Sequence, residues 1–371
     1  MSPPVYTYLT TDLATGAILG EIPLGGVTLD DQMNTVGNMN AGGNLDDKRI
    51  DNDTYIQRTI PGKTGLFAYR NDQIVWGGII WTREYQSNGK ALTITGQTFE
   101  SYAARRFPRS WLGTSKFVYN QGQISIIDNL WAKMQAVPNG NINVQPCGVY
   151  PPNDVVRQLT VNGFDLTTSF NDLIQSILLL SGAPDYNVTW YEDQNGLPKL
   201  QLQIAVPIGH PVAATQLVVD YPGPISDYVF NENASSGNNQ WWAVGDGTDA
   251  AANVGVVTDS ASLANGYPLL EGVNSYSGVT DQSTITAHAA SDLSSFPAPV
   301  VTHNVDLVGT AFPMFGTYAI GDYVQAYVTD ARFPAGASFN VRVIGWTITP
   351  PDTGSGVENI ALIYDEPTAL G

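Results

Sequence analysis

The feature that most constrains the fold is a strand–turn–strand unit written twice. Near the N-terminus, Val75-Trp76-Gly77-Gly78-Ile79-Ile80-Trp81-Thr82 is followed by a polar turn at residues 86–90 and by Ala91-Leu92-Thr93-Ile94-Thr95. Near the C-terminus, Val341-Arg342-Val343-Ile344-Gly345-Trp346-Thr347-Ile348 is followed by a turn at residues 350–356 and by Asn359-Ile360-Ala361-Leu362-Ile363. Each copy is a strand ending in Trp-Thr, a turn that carries glycine, and a returning strand rich in β-branched residues, which is a hairpin pattern. The offset from Trp81 and from Trp346 to the returning strand is nearly the same. Two such units in one chain predict two small β-barrels related by pseudo-symmetry. That arrangement suits a ring-shaped assembly better than an enzyme pocket.

Composition agrees with a β-rich chain. Charged residues make up 13% of the 371 residues, about half the usual level, while 37 glycines and 23 prolines supply turns. The charge is unevenly placed: of a net −18, −14 falls in residues 201–371, where only Arg332 and Arg342 face sixteen acidic side chains. Such a half cannot supply the cations that neutralise phosphate. It serves solubility, or it forms a wall past which DNA slides without sticking. Cys147, the one cysteine, excludes an internal disulfide and reads as a small buried hydrophobe. Residues 1–10 lack a signal-peptide pattern, and no apolar run approaches the roughly 20 residues a spanning helix needs, the largely apolar stretch 174–180 included. No membrane anchor is expected, and folding in a cytosol is.

Three units follow from the pattern along the chain. Residues 1–107 read as a first β domain, with strands over 5–9, 16–24, 27–33, 64–69, 73–82 and 92–97, a hairpin at Asn71-Asp72 and a loop over 34–53. Gly77-Gly78 inside a strand predicts a bulge or a close backbone approach. Residues 108–214 read as an α/β domain with helices over 125–136 and 169–181 and a hairpin of 187–191 with 199–205. Residues 215–371 return to β, with strands over 216–220, 240–244, 300–308, 323–328, 339–347 and 359–364 and an inserted helix over 281–295. The fold class is mainly β with an α/β insert.

No catalytic, cofactor or metal site is read. His210, His288 and His303 match no zinc spacing, and no nucleophile elbow or phosphate-binding glycine motif occurs. Acidic residues are too numerous for a glycosidase pair to stand out. Trp241-Trp242 reads either as a sugar-stacking platform or as a strand with one ring inward and one outward. The acidic loops at Asp46-Asp47, Asp51-Asn52-Asp53 and Asp246 with Asp249 lack EF-hand spacing and read as solvated surface. Arg105, Arg106 and Arg109, clustered at a domain boundary, read as an interface, since bidentate guanidinium–carboxylate pairing suits an acidic neighbouring subunit or domain.

The run Thr59-Ile60-Pro61-Gly62-Lys63-Thr64-Gly65-Leu66-Phe67-Ala68-Tyr69-Arg70, the run from Val75 to Arg83 and Thr98-Phe99-Glu100-Ser101-Tyr102 resemble baseplate-hub (minor tail) proteins of long-tailed, siphovirus-type actinobacterial phages. Tyr318-Ala319-Ile320-Gly321-Asp322-Tyr323-Val324 and Arg342-Val343-Ile344-Gly345-Trp346 resemble the matching Gly-Asp strand and closing hairpin. The resemblance spans most of the chain, is looser over residues 110–215 and departs at Lys63-Thr64. It implies two tail-tube-like β-barrels and a tail-hub fold shared with contractile-tail spike bases. It further implies a homotrimer whose two barrels per subunit form a pseudo-hexameric ring between a sixfold tail tube and a threefold tip. Such a protein is a structural virion component of the tail tip, with no enzymatic activity and no cofactor. Its partners are the distal tail ring protein, the tape measure protein and other tail-tip proteins, and genomic DNA passes it transiently on ejection. Larger relatives carry a C-terminal enzyme or receptor-binding extension; Gly371 follows soon after the last expected strand, so no fused lysin is expected. Trp81 and Trp346 are expected at comparable places in the two barrels. The alternatives are a carbohydrate-binding adsorption protein or a cell-wall hydrolase at the same tip.

Overall fold

The computed structural model describes residues 4–45, 48, 49, 51–209, 218–233, 237–246, 253–295, 300–308, 315–351 and 358–365. The chain begins with β1 (Tyr6–Asp12), β2 (Ile18–Glu21), β3 (Gly25–Gln32), β4 (Asn38–Asn44), α1 (Asn52–Gln57), β5 (Thr64–Arg70), β6 (Gln73–Gln86) and β7 (Ala91–Thr98). A 3-10 turn over Phe99–Arg105 leads to α2 (Arg109–Leu112), β8 (Lys116–Gly122), α3 (Gln123–Ala136), β9 (Val144–Gln145), β10 (Val156–Asn162), α4 (Phe170–Leu178), β11 (Asp185–Glu192) and β12 (Pro198–Ala205). The last part holds β13 (Val218–Tyr221), β14 (Ile225–Asn233), β15 (Gln240–Val244), β16 (Val254–Thr258), α5 (Ser260–Ala264), β17 (Glu271–Ser275) and α6 (Gln282–Ser295). It closes with β18 (Val300–Val308), β19 (Tyr323–Val328), β20 (Ala337–Thr349) and β21 (Asn359–Asp365).

The duplication is visible in the order of strands. The first set pairs as β3-β4-β7-β6-β5-β1-β2, and the last set as β14-β18-β21-β20-β19-β13. Aligned on their hairpins, β6–β7 matches β20–β21, β4 matches β18, β3 matches β14, β5 matches β19 and β1 matches β13, with chain order preserved. The copy is imperfect: β1 runs antiparallel to β5, whereas β13 runs parallel to β19.

The expected closure into two barrels is not found among the described residues; the two sets instead join into one sheet of 13 strands. The reason lies in β20. Residues 337–342 pair with β19, residues 345–348 pair with β3, and β21 takes the opposite edge. An edge bonded to the other half is not free to return to its own.

Burial follows this join. The main core draws Leu29, Met39 and Trp76 from the first half and Val343, Trp346 and Ile360 from the second. A second core packs Phe67, Ile79 and Phe99 against Ile127, Trp131 and Phe170 of the α/β unit. With a core on each side, β6 reads as a nearly continuous apolar run rather than an alternating one. The helices form as their spacing dictates: α3 buries Ile126, Ile127, Leu130, Trp131 and Met134, and α4 starts at a capping box of Ser169 with Asp172. The segment 34–53, expected to be loop, contains β4 and the start of α1. Only Met39 and Ala41 of β4 point into the core, and its remaining Asn and Gly residues read as turn. Gly43 is needed there, because a Cβ would sit 2.1 Å from the Tyr55 hydroxyl.

Candidate assembly interface

The seam between the halves is four residue pairs long: Gly345 with Gln32, Trp346 with Asp31, Thr347 with Asp30 and Ile348 with Leu29. A Cβ on Gly345 would lie 2.6 Å from the Asp31 carbonyl oxygen, so the strands meet this closely only through glycine. Asp31 is buried, and desolvation, with Glu100 and Asp30 nearby, raises its carboxyl well above the usual range. Glu100 is buried too, and burial pushes it up to about 7. Its Oε1 accepts from the Val188 amide, and hydrogen bonds from Val188 and Thr98 offset part of the burial effect. Burial therefore shifts two neighbouring carboxyls toward the protonated form beside the seam.

Two buried ion pairs and one polar bracket hold the units together. Arg70, at the end of β5, donates to Glu358 through Nε (2.6 Å) and Nη2 (2.7 Å), and the Tyr6 hydroxyl adds a third bond to that carboxylate at 2.5 Å. Nη1 of Arg70 donates to the Phe315 carbonyl at 3.2 Å. The bond from Glu358 raises the Arg70 pKa further, as a bidentate charge-assisted pair should. Arg342 of β20 donates to the Asp185 carboxylate of β11, to the Ile208 carbonyl at 2.7 Å and to the Gly321 carbonyl at 3.2 Å. The first pair links half to half, and the second links the last strands to the α/β unit. Asn34, in the β3–β4 turn, supplies the bracket: its Oδ1 accepts from the Tyr186 amide at 2.7 Å, and its carbonyl accepts from Gln175 Nε2 at 2.9 Å. Its φ of +66° is a conformation that asparagine tolerates better than most residues. None of these contacts was singled out from sequence. Arg342 carried a usable signal, as one of only two basic residues after position 200.

The three arginines read as an interface are engaged within the chain. The Arg105 guanidinium lies 5.4 Å above the Trp81 ring. Arg106 lies 5.3 Å over Tyr102, donates to its hydroxyl and reaches the Gly140 carbonyl at 3.3 Å. Arg109 donates to the Gly163 carbonyl at 3.3 Å. Arg105 and Arg109 are nonetheless exposed.

Trp81 and Trp346 lie on matching strands but in different cores. Trp81 packs against the α/β core and donates to Ser101 Oγ at 2.9 Å, whereas Trp346 sits in the main core edge-on to Phe315, with centroids 5.0 Å apart. Bulges explain the difference. The extra residue falls at Trp81 in β6 but at Ile344 in β20, before the tryptophan. One inserted residue reverses which face a side chain takes. The tryptophan of the first half that shares the core of Trp346 is Trp76, fully buried, with its Nε1 donating to the Asp30 carbonyl at 2.8 Å.

Other flagged residues take structural places. Trp241 is buried, while Trp242 is partly exposed and donates to Glu271 at 3.0 Å. Asp51 caps α1, and Asp246 accepts from the Gly278 amide at 2.8 Å. His288 is buried in α6 and stacked on Tyr276 at 3.8 Å; burial lowers its pKa. His303 lies in β18, while His210, Asp46, Asp47 and Asp249 fall outside the described residues. Among the described residues no group of three or more His, Cys, Asp or Glu is placed to hold a metal ion, and no helix is long and apolar enough to cross a membrane.

No protein-family model matches the sequence, and no curated protein matches it. Similarity appears at the level of structure. A tail protein from Neisseria meningitidis MC58 superposes with a TM-score of 0.60 over 97% of each chain at 11% identity. The 43 kDa tail protein of prophage MuSo2 from Shewanella oneidensis gives 0.61 over 98% of this chain and 100% of its own, also at 11% identity. Prophage tail protein gp18 from Listeria monocytogenes EGD-e gives 0.54 at 10% identity over 98% and 95%. At such identities the likeness is one of fold, and it extends over nearly the whole chain.

Proposed function

We propose that this chain is a structural component of a phage tail, a homotrimeric baseplate hub at the tail tip. The observation that supports it is the repeated strand order. Three copies of a chain holding two related sheet units present six, which meets a sixfold tube above and a threefold tip below. In this reading residues 1–107 and 215–371 form the ring and residues 108–214 buttress it. Arg105, Arg106 and Arg109 contact a neighbouring subunit. The excess of acid after residue 200 lets DNA pass without binding. The distal tail ring protein and the tape measure protein lie above, other tip proteins lie below, and the role is mechanical rather than enzymatic. The resemblance to hub proteins of actinobacterial siphoviruses and the fold shared with tail proteins both favour it. Cross-linking mass spectrometry on purified tailed particles tests it. Cross-links to the distal ring and tape measure proteins are expected, and absence of the chain from the particles contradicts the reading.

A further inference from the structure

The segment between β14 and β18 forms a small sheet, ordered β16-β15-β17, with α6 on one face. Trp241, Ala243 and Val257 alternate toward one side, where Ala243 meets Ile285 and Ala289 of α6. Gly255 permits that contact, since a Cβ would lie 2.9 Å from Ile285. The helix is in turn bonded to the α/β unit, where the Ser181 amide donates to the Ala287 carbonyl at 3.4 Å. The helix therefore lies between the small sheet and the α/β unit, and the sheet's other face points away from it.

That outer face is apolar. Trp242 stands between Val256 and Val273, and Val244 stands opposite Val254. Val254, Val256 and Val273 are 41%, 45% and 63% exposed. Contiguous apolar surface of this kind marks an interaction site more often than chance exposure does. Glu271 accepts from Trp242 at its edge, and the unit as a whole is acidic: residues 237–295 hold six Asp and Glu and no lysine or arginine. Two such faces would repel each other, so the occupant must present apolar surface with a basic rim.

The chain carries that complement elsewhere. Phe107, Phe117, Phe164 and Leu166 of the α/β unit are 38%, 41%, 63% and 64% exposed; Arg105 and Arg109, beside Phe107 in sequence, are exposed as well and outnumber Asp165, the acid between Phe164 and Leu166. The two loops that bear the patch are bonded side by side, through Arg109 to the Gly163 carbonyl and the Gly163 amide to the Ser115 carbonyl at 2.9 Å. The small sheet turns its bare face away from α6, the side on which it meets its own α/β unit.

We propose that the outer face of the small sheet docks on the Phe117–Phe164 patch of a second copy of this chain. The contact is heterologous, and repetition around a threefold axis closes it into a ring. This inference rests on the homotrimer reading above and names the surfaces that make the trimer. The test is sedimentation equilibrium of the full chain. Val273→Asp and Phe164→Asp, both at well-exposed positions, are each expected to weaken self-association at least tenfold, while circular dichroism, and thermal melting at concentrations where wild type and variant are both monomeric, stay unchanged. Glu271→Lys and Arg109→Glu are each expected to weaken it as well, and mixing those two variants to restore it in part. Wild-type affinity in both aspartate variants overturns the docking, as does a wild type that stays monomeric at its solubility limit. An effect of Val273→Asp without one of Phe164→Asp also overturns it, in favour of a different partner protein. The trimeric hub reading is judged separately, on particles, and survives any of these results.

Discussion

Between β3 and β4 the first sheet turns within residues 33–37, while between β14 and β18 the second sheet inserts residues 234–299 with a sheet and two helices of their own. Both connections reach the α/β unit, the first through Asn34 to Tyr186 and Gln175, the second through Ala287 to Ser181. The strand order was kept while the connection grew. The hydrogen-bonded scaffold is thus the shared part of the two halves, while their faces differ. The first sheet is buried on both sides in the region of β6, and the second keeps its main core and carries an acidic outer unit.

The severest way to break this comparison is to empty the shared core from each side. Trp76→Ala and Trp346→Ala should each cost about 3–5 kcal/mol and should each lower a single denaturation transition, because both rings belong to one core. Two separate transitions would mean that the halves fold independently. Glu358→Ala should cost a similar amount, about 3–5 kcal/mol, by leaving Arg70 buried without its partner. The double variant Arg70→Met with Glu358→Leu should recover most of that loss in urea titrations. Glycine contacts come next. Gly78→Ala in the first half would place a Cβ 2.4 Å from the Gln97 carbonyl oxygen, and Gly345→Ala in the second places one 2.6 Å from that of Asp31. Each should cost about 1–3 kcal/mol, the first within a hairpin and the second across the seam, and a neutral Gly345→Ala would mean that the seam does not depend on glycine.

The pH profile gives a finer contrast. Burial raises the Glu100 carboxyl from 4.5 to about 7, so its contribution to stability is complete below pH 4.5 and is lost as pH rises through 7. Asp31 acts in the same direction. Chemical denaturation should show stability falling between those values, by at most about 1.4 kcal/mol per pH unit for one proton. Glu100→Gln should flatten that part of the curve, and an unchanged slope would remove Glu100 from the account. Smallest is Ser169→Ala, which opens the α4 capping box and should cost about 1 kcal/mol, with no effect on the seam.

Local patterns carried much of the fold. The Asn71-Asp72 turn is where its chemistry places it, with φ of +48° and +64°; α3 and α4 follow their periodicity, although α4 stops at Leu178, and β15 and α6 lie within one residue of their expected bounds. What escaped was long-range. The pairing of β3 with β20 joins residues more than 300 positions apart in sequence, and no local pattern encodes an edge-to-edge join that replaces barrel closure. Glu358 was one acid among 34, distinguishable only once Arg70 and Tyr6 converge on it. The Trp-Thr motifs pointed to the correct pair of strands, but a bulge at Trp81 and another at Ile344 sent the two rings to different cores. The arginine cluster was legible as a group of cations, while its contacts with Trp81, Tyr102 and Gly163 were not.

On the proposed reading, one chain supplies two related sheet units and three copies present six. Averaged cryo-electron microscopy of tailed particles containing the chain tests it most directly. Three copies around the tail axis are expected, with the β6–β7 and β20–β21 hairpins alternating in six similar positions. Six copies placing one hairpin each, or three copies whose two hairpins lie at unrelated radii and tilts, would contradict it.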